Sequence, residues 1–476
     1  MGVNRFRQSS HAAGSPGRAF RGAEAALCAG AVAITALAAL ILSASAGSGA
    51  TTISTLGIFA GLTLAAHLAV RRWAPSADPV LLPCVVLLNG LGLVLIDRLD
   101  HENPLENGAQ SSDAAHQLIW TGIGIVLFAG VLLVVRDHTR PAEYGYTCGL
   151  AGLGALLIPA LLPSQYSEVN GGKSWILLHG FSIQPGEFAK VLLLIFVASF
   201  LVANRELFTT AGHQFLGMTF PRLRDLGPLL LVTAMSLLVL MYEKNLGFSL
   251  LVFGTVLAMI YIATDRVSWL VIGFSMFAVG ATIAYMAFPH VRVRVEVWQD
   301  PFATYYTSGY QISQALFGMA TGGLLGTGIG AGRPQEVPFA KTDFIISTIG
   351  EELGLIGLAA VISVFAILTV RGFVAALATR DAFGKLLGGG LAFSIGWQLF
   401  VVVGGVTKLI PLTGLTTPFM SYGGSSLLAN YIIVALLIRI SHDARTAPPP
   451  PAPRPAVAIA EAQTQHVSRR WLGKAQ

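Results

Sequence analysis

The sequence predicts an all-α integral membrane protein, a polytopic bundle of about 12 transmembrane helices. Two observations come from composition: 54% of the 476 residues are hydrophobic and only 11% are charged, whereas soluble globular proteins carry about 25% charged residues. The third is that the apolar residues are gathered in runs of about 17–25, the length that an α-helix needs to cross a bilayer core of about 30 Å. Because backbone polar groups find no water in lipid, these runs are expected to be helices.

Hydropathy places the spans in order along the chain. They are predicted at residues 24–46, 54–70, 79–96, 117–135, 144–162, 187–203, 226–242, 246–263, 268–289, 344–370, 386–406 and 424–440. The segment 23–78 is expected to form two N-terminal transmembrane helices, and 79–440 holds the other spans. The Arg- and Ser-rich segment 1–22 and the Pro-rich segment 441–476 bury too little apolar surface to fold, so both are predicted to be disordered and cytoplasmic.

The first span ends in a pattern that is similar to a signal-peptidase site. Its apolar stretch follows Arg21 and ends in Ala44-Ser45-Ala46. A signal peptide has an apolar segment of about 7–15 residues, and this stretch is longer. The length favours a first span that stays in the protein.

The distribution of basic residues predicts the orientation. With a cytoplasmic N-terminus, most of the 30 Lys and Arg residues fall in cytoplasmic segments, as the positive-inside rule requires. Both termini are therefore expected to be cytoplasmic, in a multi-pass protein of the cytoplasmic membrane. The net charge of +6 has no clustered basic patch behind it, so nucleic acid is not an expected partner. Cys28, Cys84 and Cys148 are too far apart for a zinc motif, and no disulfide framework is expected.

The outer loops hold most of the polar chemistry. Two long ones, 163–185 and 290–342, contain cations that could hold an anionic headgroup; these are Lys173, Arg292, Arg294 and Lys341. A third loop, 97–116, is acidic and is predicted to be a solvated surface. The glycines between Gly326 and Gly332 do not follow the G-x-G-x-x-G spacing, so they are predicted to be flexible turns rather than a nucleotide-binding loop.

Several charged residues lie in or beside spans, where insertion costs about 2.5–3.5 kcal/mol per charge. Glu187 and Lys190 share one helical face, which fits either an internal salt bridge or a functional pair. Of Glu351 and Glu352, one is expected to cap a helix or to pair. Asp343 stands where an outer loop enters an apolar helix; it could cap that helix, or it could act as a general base whose pKa is raised by burial.

Five segments, in this order along the chain, resemble those of the SEDS family (shape, elongation, division and sporulation), which includes RodA and FtsW. They are Gly172-Lys173-Ser174-Trp175-Ile176 with Phe181 to Lys190, the turn Glu243 to Gly247, Arg294 with Trp298-Gln299-Asp300-Pro301 and Gly309-Tyr310-Gln311, Lys341 to Ile345 with Glu351-Glu352-Leu353-Gly354, and Pro411 to Ser426. One such segment would be weak support. Five in order are specific.

The resemblance implies a peptidoglycan glycosyltransferase of the inner membrane, with 79–440 as its SEDS core. Such enzymes polymerise lipid II, an undecaprenyl-pyrophosphate disaccharide-pentapeptide, with inversion at the donor anomeric carbon. It implies Asp343 as the general base. It also implies a class B penicillin-binding protein, a transpeptidase, as partner. Whether a divalent cation such as Mg²⁺ or Mn²⁺ takes part is open, and no metal ligand is assigned.

The other candidate residues are assigned to substrate binding. Arg292 and Arg294 are expected at the pyrophosphate. The remaining candidates are Lys173, Lys341, Trp175, Glu187 and Lys190. The two extra N-terminal helices are similar to those of actinobacterial RodA proteins, which implies a role in elongation and cell shape; an FtsW-like division polymerase is the alternative within the family.

Two residues depart from the family pattern. Asn245 stands where the family turn Gln-Pro-Asp-Leu-Gly has a carboxylate, and Lys341 stands where a His is common. The alternatives outside polymerisation are a lipid II flippase or other transporter, which would depend on Glu187 and Lys190, and a scaffold that only activates a partner, for which Asp343 would be dispensable.

Overall fold

The structure, a computed structural model, describes residues 16–46, 49–102, 112–169, 171–178, 181–205, 212–215, 218–221, 233–239 and 243–446. In these residues, 11 helices are long and apolar enough to cross a membrane. This confirms the predicted all-α membrane bundle. The predicted span 226–242 lies mostly outside the described residues, which are helical there at 233–239.

The described elements follow the chain in a simple order. The helices are α1 (Pro16–Ala46), α2 (Gly49–Trp73), α3 (Leu81–Glu102), α4 (Asp113–Val134), α5 (Gly145–Leu161), α6 (Ser164–Ser167), α7 (Pro185–Ala203), α8 (Leu246–Thr264), α9 (Val267–Ala287), α10 (Pro289–Gln299), α11 (Tyr310–Gly322), α12 (Ile345–Glu352), α13 (Gly354–Ala378), α14 (Ala382–Val406) and α15 (Gly424–Thr446). Two short antiparallel hairpins pair β1 (Ile176–Leu178) with β2 (Phe181–Ile183) and β3 (Gly212–Phe215) with β4 (Met218–Pro221).

Four helices form the centre of the bundle. α3, α7, α14 and α15 are buried over most of their length, whereas α1, α2 and α9 expose most of theirs, as helices that face lipid would. Small residues on α14 let its neighbours approach closely: a Cβ at Gly390 would stand 2.6 Å from the sulfur of Met259 on α8, and one at Gly388 would stand 2.9 Å from the Cβ of Ala376 on α13.

The predicted span 344–370 is divided in the structure. The helix breaks at Leu353, so α12 is separate from α13, which is the spanning helix. Gly354 has a φ of +67°, and a Cβ there would stand 2.2 Å from the backbone nitrogen of Gly326. Only glycine fits both the backbone angle and the close approach, and hydropathy alone does not register such a break.

The helices reach into the segments predicted to be disordered. α1 begins at Pro16, and α15 ends at Thr446. The last turns of α15 hold two connections between helices in place. Arg445 donates to Asp78, which precedes α3, at 2.8 Å, and Asp443 accepts from His138, which follows α4, at 2.8 Å.

Candidate functional site

Asp343 lies at the end of a tight turn that leads into α12. The turn contains Phe339 in the left-handed region, with a φ of +61°. The hydroxyl of Thr342 donates to Oδ1 of Asp343 at 2.6 Å. The helix begins after Phe344, and its first turn has no side-chain cap, so the capping interpretation of Asp343 is wrong. Burial raises the pKa of the Asp343 carboxyl, although the Thr342 hydroxyl and the charge of Arg294 act in the opposite direction.

Arg294 brings a cation to the same place from the amphipathic helix α10. Its Nη1 donates to the carbonyls of Leu412 and Thr413 at 3.0 and 3.2 Å. A Cβ built on Gly414 would stand 3.7 Å from Oδ2 of Asp343 and 4.0 Å from Nη2 of Arg294. The carboxylate and the guanidinium therefore face one backbone position, which is a glycine with a φ of +71°.

Arg292 has a different environment from Arg294. Its Nε donates to the carbonyl of Tyr285 at 3.0 Å, and its Nη2 donates to that of Met286 at 2.7 Å. It thus satisfies carbonyls that α9 leaves unpaired at its C-terminal end. The structure brings Arg294, but not Arg292, to Asp343.

Lys341 is already paired, which corrects its assignment as a free cation for an anionic headgroup. Its ammonium binds the carboxylates of Asp100 and, at 2.9 Å, Asp113. Burial by itself would lower the pKa of Lys341. The hydrogen bonds and charges of the two aspartates outweigh burial and raise this pKa. The prediction of a solvated acidic loop is wrong for Asp100, which is buried.

Glu187 and Lys190, in the first turns of α7, form the predicted internal salt bridge. The two charged groups are 2.9 Å apart and both side chains are buried. Lys190 also donates to the amide oxygen of Gln398 on α14 at 3.1 Å, and Gln398 donates to the carbonyl of Thr416 at 2.9 Å. The pair is therefore connected to the loop 407–423, which also accepts hydrogen bonds from Arg294. Sequence reasoning missed Gln398 because it is 208 residues from Lys190.

Lys173 and Trp175 lie in the loop 163–185, in which Lys173 contacts Glu243. The backbone nitrogen of Lys173 donates to the carbonyl of Glu243 at 3.2 Å, and that of Trp175 donates to Ser167 at 3.3 Å. Burial raises the pKa of the Glu243 carboxyl to about 8. Asn245 caps α8, because its side-chain oxygen accepts from the nitrogen of Phe248 at 3.3 Å. An amide serves this capping role as well as a carboxylate does.

The glycine-rich segment before Asp343 packs against the end of α12. Thr327 and Gly328 donate backbone hydrogen bonds to the carbonyls of Glu351 and Glu352, each at 3.0 Å. Three of its glycines have positive φ; they are Gly326, Gly328 and Gly330. Glu352 also forms a buried salt bridge with Arg98 at 3.0 Å, and Glu351 accepts from the nitrogen of Arg333 at 2.6 Å. Both glutamates therefore have a side-chain partner, whereas only one of them was expected from the sequence to cap a helix or to pair.

One metal-like grouping occurs in the part of the chain that the structure describes. Its members are Asp137, His138 and Asp443. Asp443 is 19 residues beyond Gly424, the first residue of α15, which corresponds to about 28 Å along the helix. The grouping is therefore far from Asp343.

The sequence and the fold are similar to those of known proteins. A family model described as cell cycle protein, covering FtsW, RodA and SpoVE, matches residues 79–446. The chain is 55% identical over 427 residues to the peptidoglycan glycosyltransferase RodA of Mycobacterium tuberculosis, covering 89% of this chain and 91% of that protein. It is 32% identical over 338 residues to the stage V sporulation protein E of Bacillus subtilis, covering 70% and 87%.

Two solved structures share the fold. One is a chain from a study of how a peptidoglycan synthase complex coordinates polymerization and crosslinking, with a TM-score of 0.62 and 24% identity. The other is the crystal structure of the rod shape determining protein RodA of Thermus thermophilus, with a TM-score of 0.54 and 23% identity. Each match covers 78% of this chain and 99% of the other. The resemblance of the five sequence segments is thus confirmed, and the chain belongs to the FtsW/RodA/SpoVE family of multi-pass membrane proteins.

Proposed function

We propose that the chain is a peptidoglycan glycosyltransferase that polymerises lipid II at the outer face of the cytoplasmic membrane. The mycobacterial relatives at 55% identity are named for this activity. The observation that supports it most directly is that Asp343 and Arg294 face Gly414 together, which puts a base and a cation at one point.

The chemistry assigns a separate task to each residue. Asp343 takes the proton from the 4-hydroxyl of the acceptor sugar. At the same time, the oxygen of that hydroxyl forms a bond to the donor anomeric carbon. The bond from that carbon to the lipid-linked pyrophosphate breaks, and the configuration inverts. Arg294 stabilises the negative charge that develops on the departing pyrophosphate. A base with a raised pKa suits this reaction, because a catalytic base works best when its pKa is near the operating pH.

The transporter alternative has less support. It would rely on Glu187 and Lys190, which are bound to each other and to Gln398 in a buried network. Relatives named as peptidoglycan glycosyltransferases also favour polymerisation over transport.

We further propose the orientation of the enzyme in the membrane, its partner and its cellular role. Both termini are cytoplasmic, which puts Asp343 on the outer side where lipid II is polymerised. The partner is a class B penicillin-binding protein that crosslinks the strands; the similar chain from a peptidoglycan synthase complex supports this. Elongation is favoured over division, because relatives named RodA are 55–56% identical and those named FtsW are 30–33% identical.

The test is a gel assay of glycan strands. Purified protein, together with its transpeptidase partner, is incubated with labelled lipid II, and the wild type is compared with Asp343→Asn. Long strands from the wild type and none from the variant would support both the activity and the base. Strands from both would keep the polymerase and reject Asp343 as its base. No strands from either would reject the polymerase.

A further inference from the structure

Two connections that are distant in sequence meet beside Asp343. Asp100 lies in the last turn of α3, and Asp113 is the first residue of α4. Both carboxylates bind the ammonium of Lys341, which is 241 residues from Asp100 and 228 from Asp113. Asp100 also accepts from the backbone nitrogen of Ala114 at 2.8 Å. Lys341, Asp100 and Asp113, called the ion triad below, therefore join the end of α3 and the start of α4 to the segment before Asp343.

The ion triad is not suited to binding a phosphate. Two carboxylates surround one ammonium, so its formal net charge is −1, and the side chain of Lys341 is only 16% exposed. An incoming pyrophosphate would be repelled by the aspartates and would have to displace one of them. Lys341 thus binds other residues of the protein rather than the substrate.

The backbone of the same segment is also held by the loop 407–423. Tyr422 donates its backbone N–H to the carbonyl of Lys341 at 2.8 Å, and its phenol hydrogen-bonds with Asp113. The hydroxyl of Ser421 donates to the carbonyl of Thr342. Lys341, Asp113 and Tyr422 thus close a ring of contacts, and the residue before Asp343 has its backbone carbonyl fixed.

This double attachment is needed because the turn has an unfavourable backbone. Phe339 has a φ of +61°, which a bulky side chain adopts only where its surroundings impose it. Phe344, on the other side of Asp343, is completely buried. The carboxylate thus lies between a strained turn and an anchored ring, and its position depends on what holds residues 341 and 342.

We propose that Lys341, held between Asp100 and Asp113, is a positioning residue that fixes the turn 339–343 and so places the carboxylate of Asp343 for catalysis. The proposal rests on the polymerase function above. It makes the junction of α3 and α4 part of the catalytic apparatus, although neither aspartate touches the reacting atoms.

The experiment compares Lys341→Met with Lys341→Arg and measures kcat, KM for lipid II and thermal stability. We expect kcat of Lys341→Met to fall about 10²-fold per folded molecule, with KM within about twofold, because misplacing a catalytic group by about 1 Å has this effect. Lys341→Arg should recover most of the rate, because a guanidinium can bind both carboxylates. Arg333→Met is the matched control: it removes an outer cation whose side chain is 80% exposed, and it should leave kcat and KM unchanged.

Other outcomes would overturn the proposal. A raised KM with an intact kcat would make Lys341 a substrate-binding residue, and lowered stability with an intact kcat would make it only structural. If Lys341→Met does not fold, Asp113→Asn decides, because it leaves the Asp100 contact in place; an unchanged kcat there would reject the positioning role. If the wild type is active and the triad variants have the same kcat as the wild type, this proposal alone is rejected. If the wild type is inactive, the polymerase function and this proposal are rejected together.

Discussion

The carboxylate of Asp343 and the guanidinium of Arg294 face the same backbone position, Gly414, from two different elements. A Cβ at Gly414 would stand 3.7 Å from the first and 4.0 Å from the second. Arg294 is held in turn by the carbonyls of Leu412 and Thr413, and the indole of Trp298 donates to Lys408 in the same loop at 3.1 Å. The loop 407–423 therefore helps to set the distance between the Asp343 carboxylate and the Arg294 guanidinium, and if Asp343 is the base proposed above, the geometry of this loop should govern the rate.

Gly414→Ala is expected to reduce both activity and stability. The new methyl group would meet only ordinary contact distances, but an L-residue in the left-handed region costs about 1–2 kcal/mol. The loop would relax away from its φ of +71° and carry the carbonyls that hold Arg294 with it. Glycan polymerisation and the thermal midpoint Tm report the two effects.

Gly423→Ala is the matched control for that change. Gly423 lies in the same loop and lacks a positive φ, and its nearest neighbours to a new Cβ would be at 3.5 and 4.0 Å. It should keep both rate and Tm. Equal losses of activity and Tm in the two variants would show that the loop tolerates no added methyl group. The positive φ of Gly414 would then not explain the effect of Gly414→Ala.

The acidic limb of the pH profile should report Asp343. A base must be deprotonated, so kcat/KM is expected to fall as pH decreases through the raised pKa of this carboxyl. Arg294 lowers that pKa by its charge, so Arg294→Met should move the limb to higher pH. Arg294→Lys keeps the charge and should leave the limb near its wild-type position. An unmoved limb in Arg294→Met would separate the titrating group from Asp343.

His138 is expected to stabilise the fold in a pH-dependent way. Its Nε2 is 2.6 Å from Asp381 and its Nδ1 is 2.8 Å from Asp443. Burial lowers the pKa of His138, but the two aspartates outweigh burial and raise it to about 9 from an ordinary 6.5. Asp137 at 3.9 Å adds negative charge, and Arg439 lies 3.8 Å from Asp443.

The sign of this effect follows from linkage. A folded-state pKa above the unfolded one gives stabilisation that is complete below about pH 6.5 and is lost as pH rises through about 9. His138→Gln should therefore lower Tm most at pH 6, and the difference from wild type should shrink towards pH 10. A difference that stays constant over this range would mean that the imidazole acts by packing alone.

Two truncated chains, one ending after α15 and one ending within its last turns, are expected to differ in stability. A chain that stops at Thr446 keeps Asp443 and Arg445 with their partners His138 and Asp78, so it should retain both Tm and polymerisation. A chain that stops at His442 loses both contacts and should have a lower Tm. Equal stability of the two truncated chains would show that these contacts contribute little.

The fold class and the segment that holds the proposed base could both be recognised in the sequence because both depend on local information. Hydropathy over about 20 residues identifies a membrane helix regardless of its neighbours. The segment Lys341 to Ile345 is recognised from adjacent letters. The same approach assigned Lys341 to the substrate, because a cation close to an expected base looks available when its partners are unknown.

Only the tertiary structure decided which charges are free and which are paired. Asp100 and Gln398 reach Lys341 and Lys190 across more than 200 residues, and no local pattern encodes such a contact. The close approach of Gly354 to Gly326 and the position of Gly414 opposite Asp343 and Arg294 depend in the same way on which residues the fold places there. The order of residues along the chain was enough to predict a membrane bundle and a carboxylate where a loop enters an apolar segment. Helix packing determined the electrostatic environment of that carboxylate, because the pKa and position of a buried group depend on atoms that only the folded chain brings near.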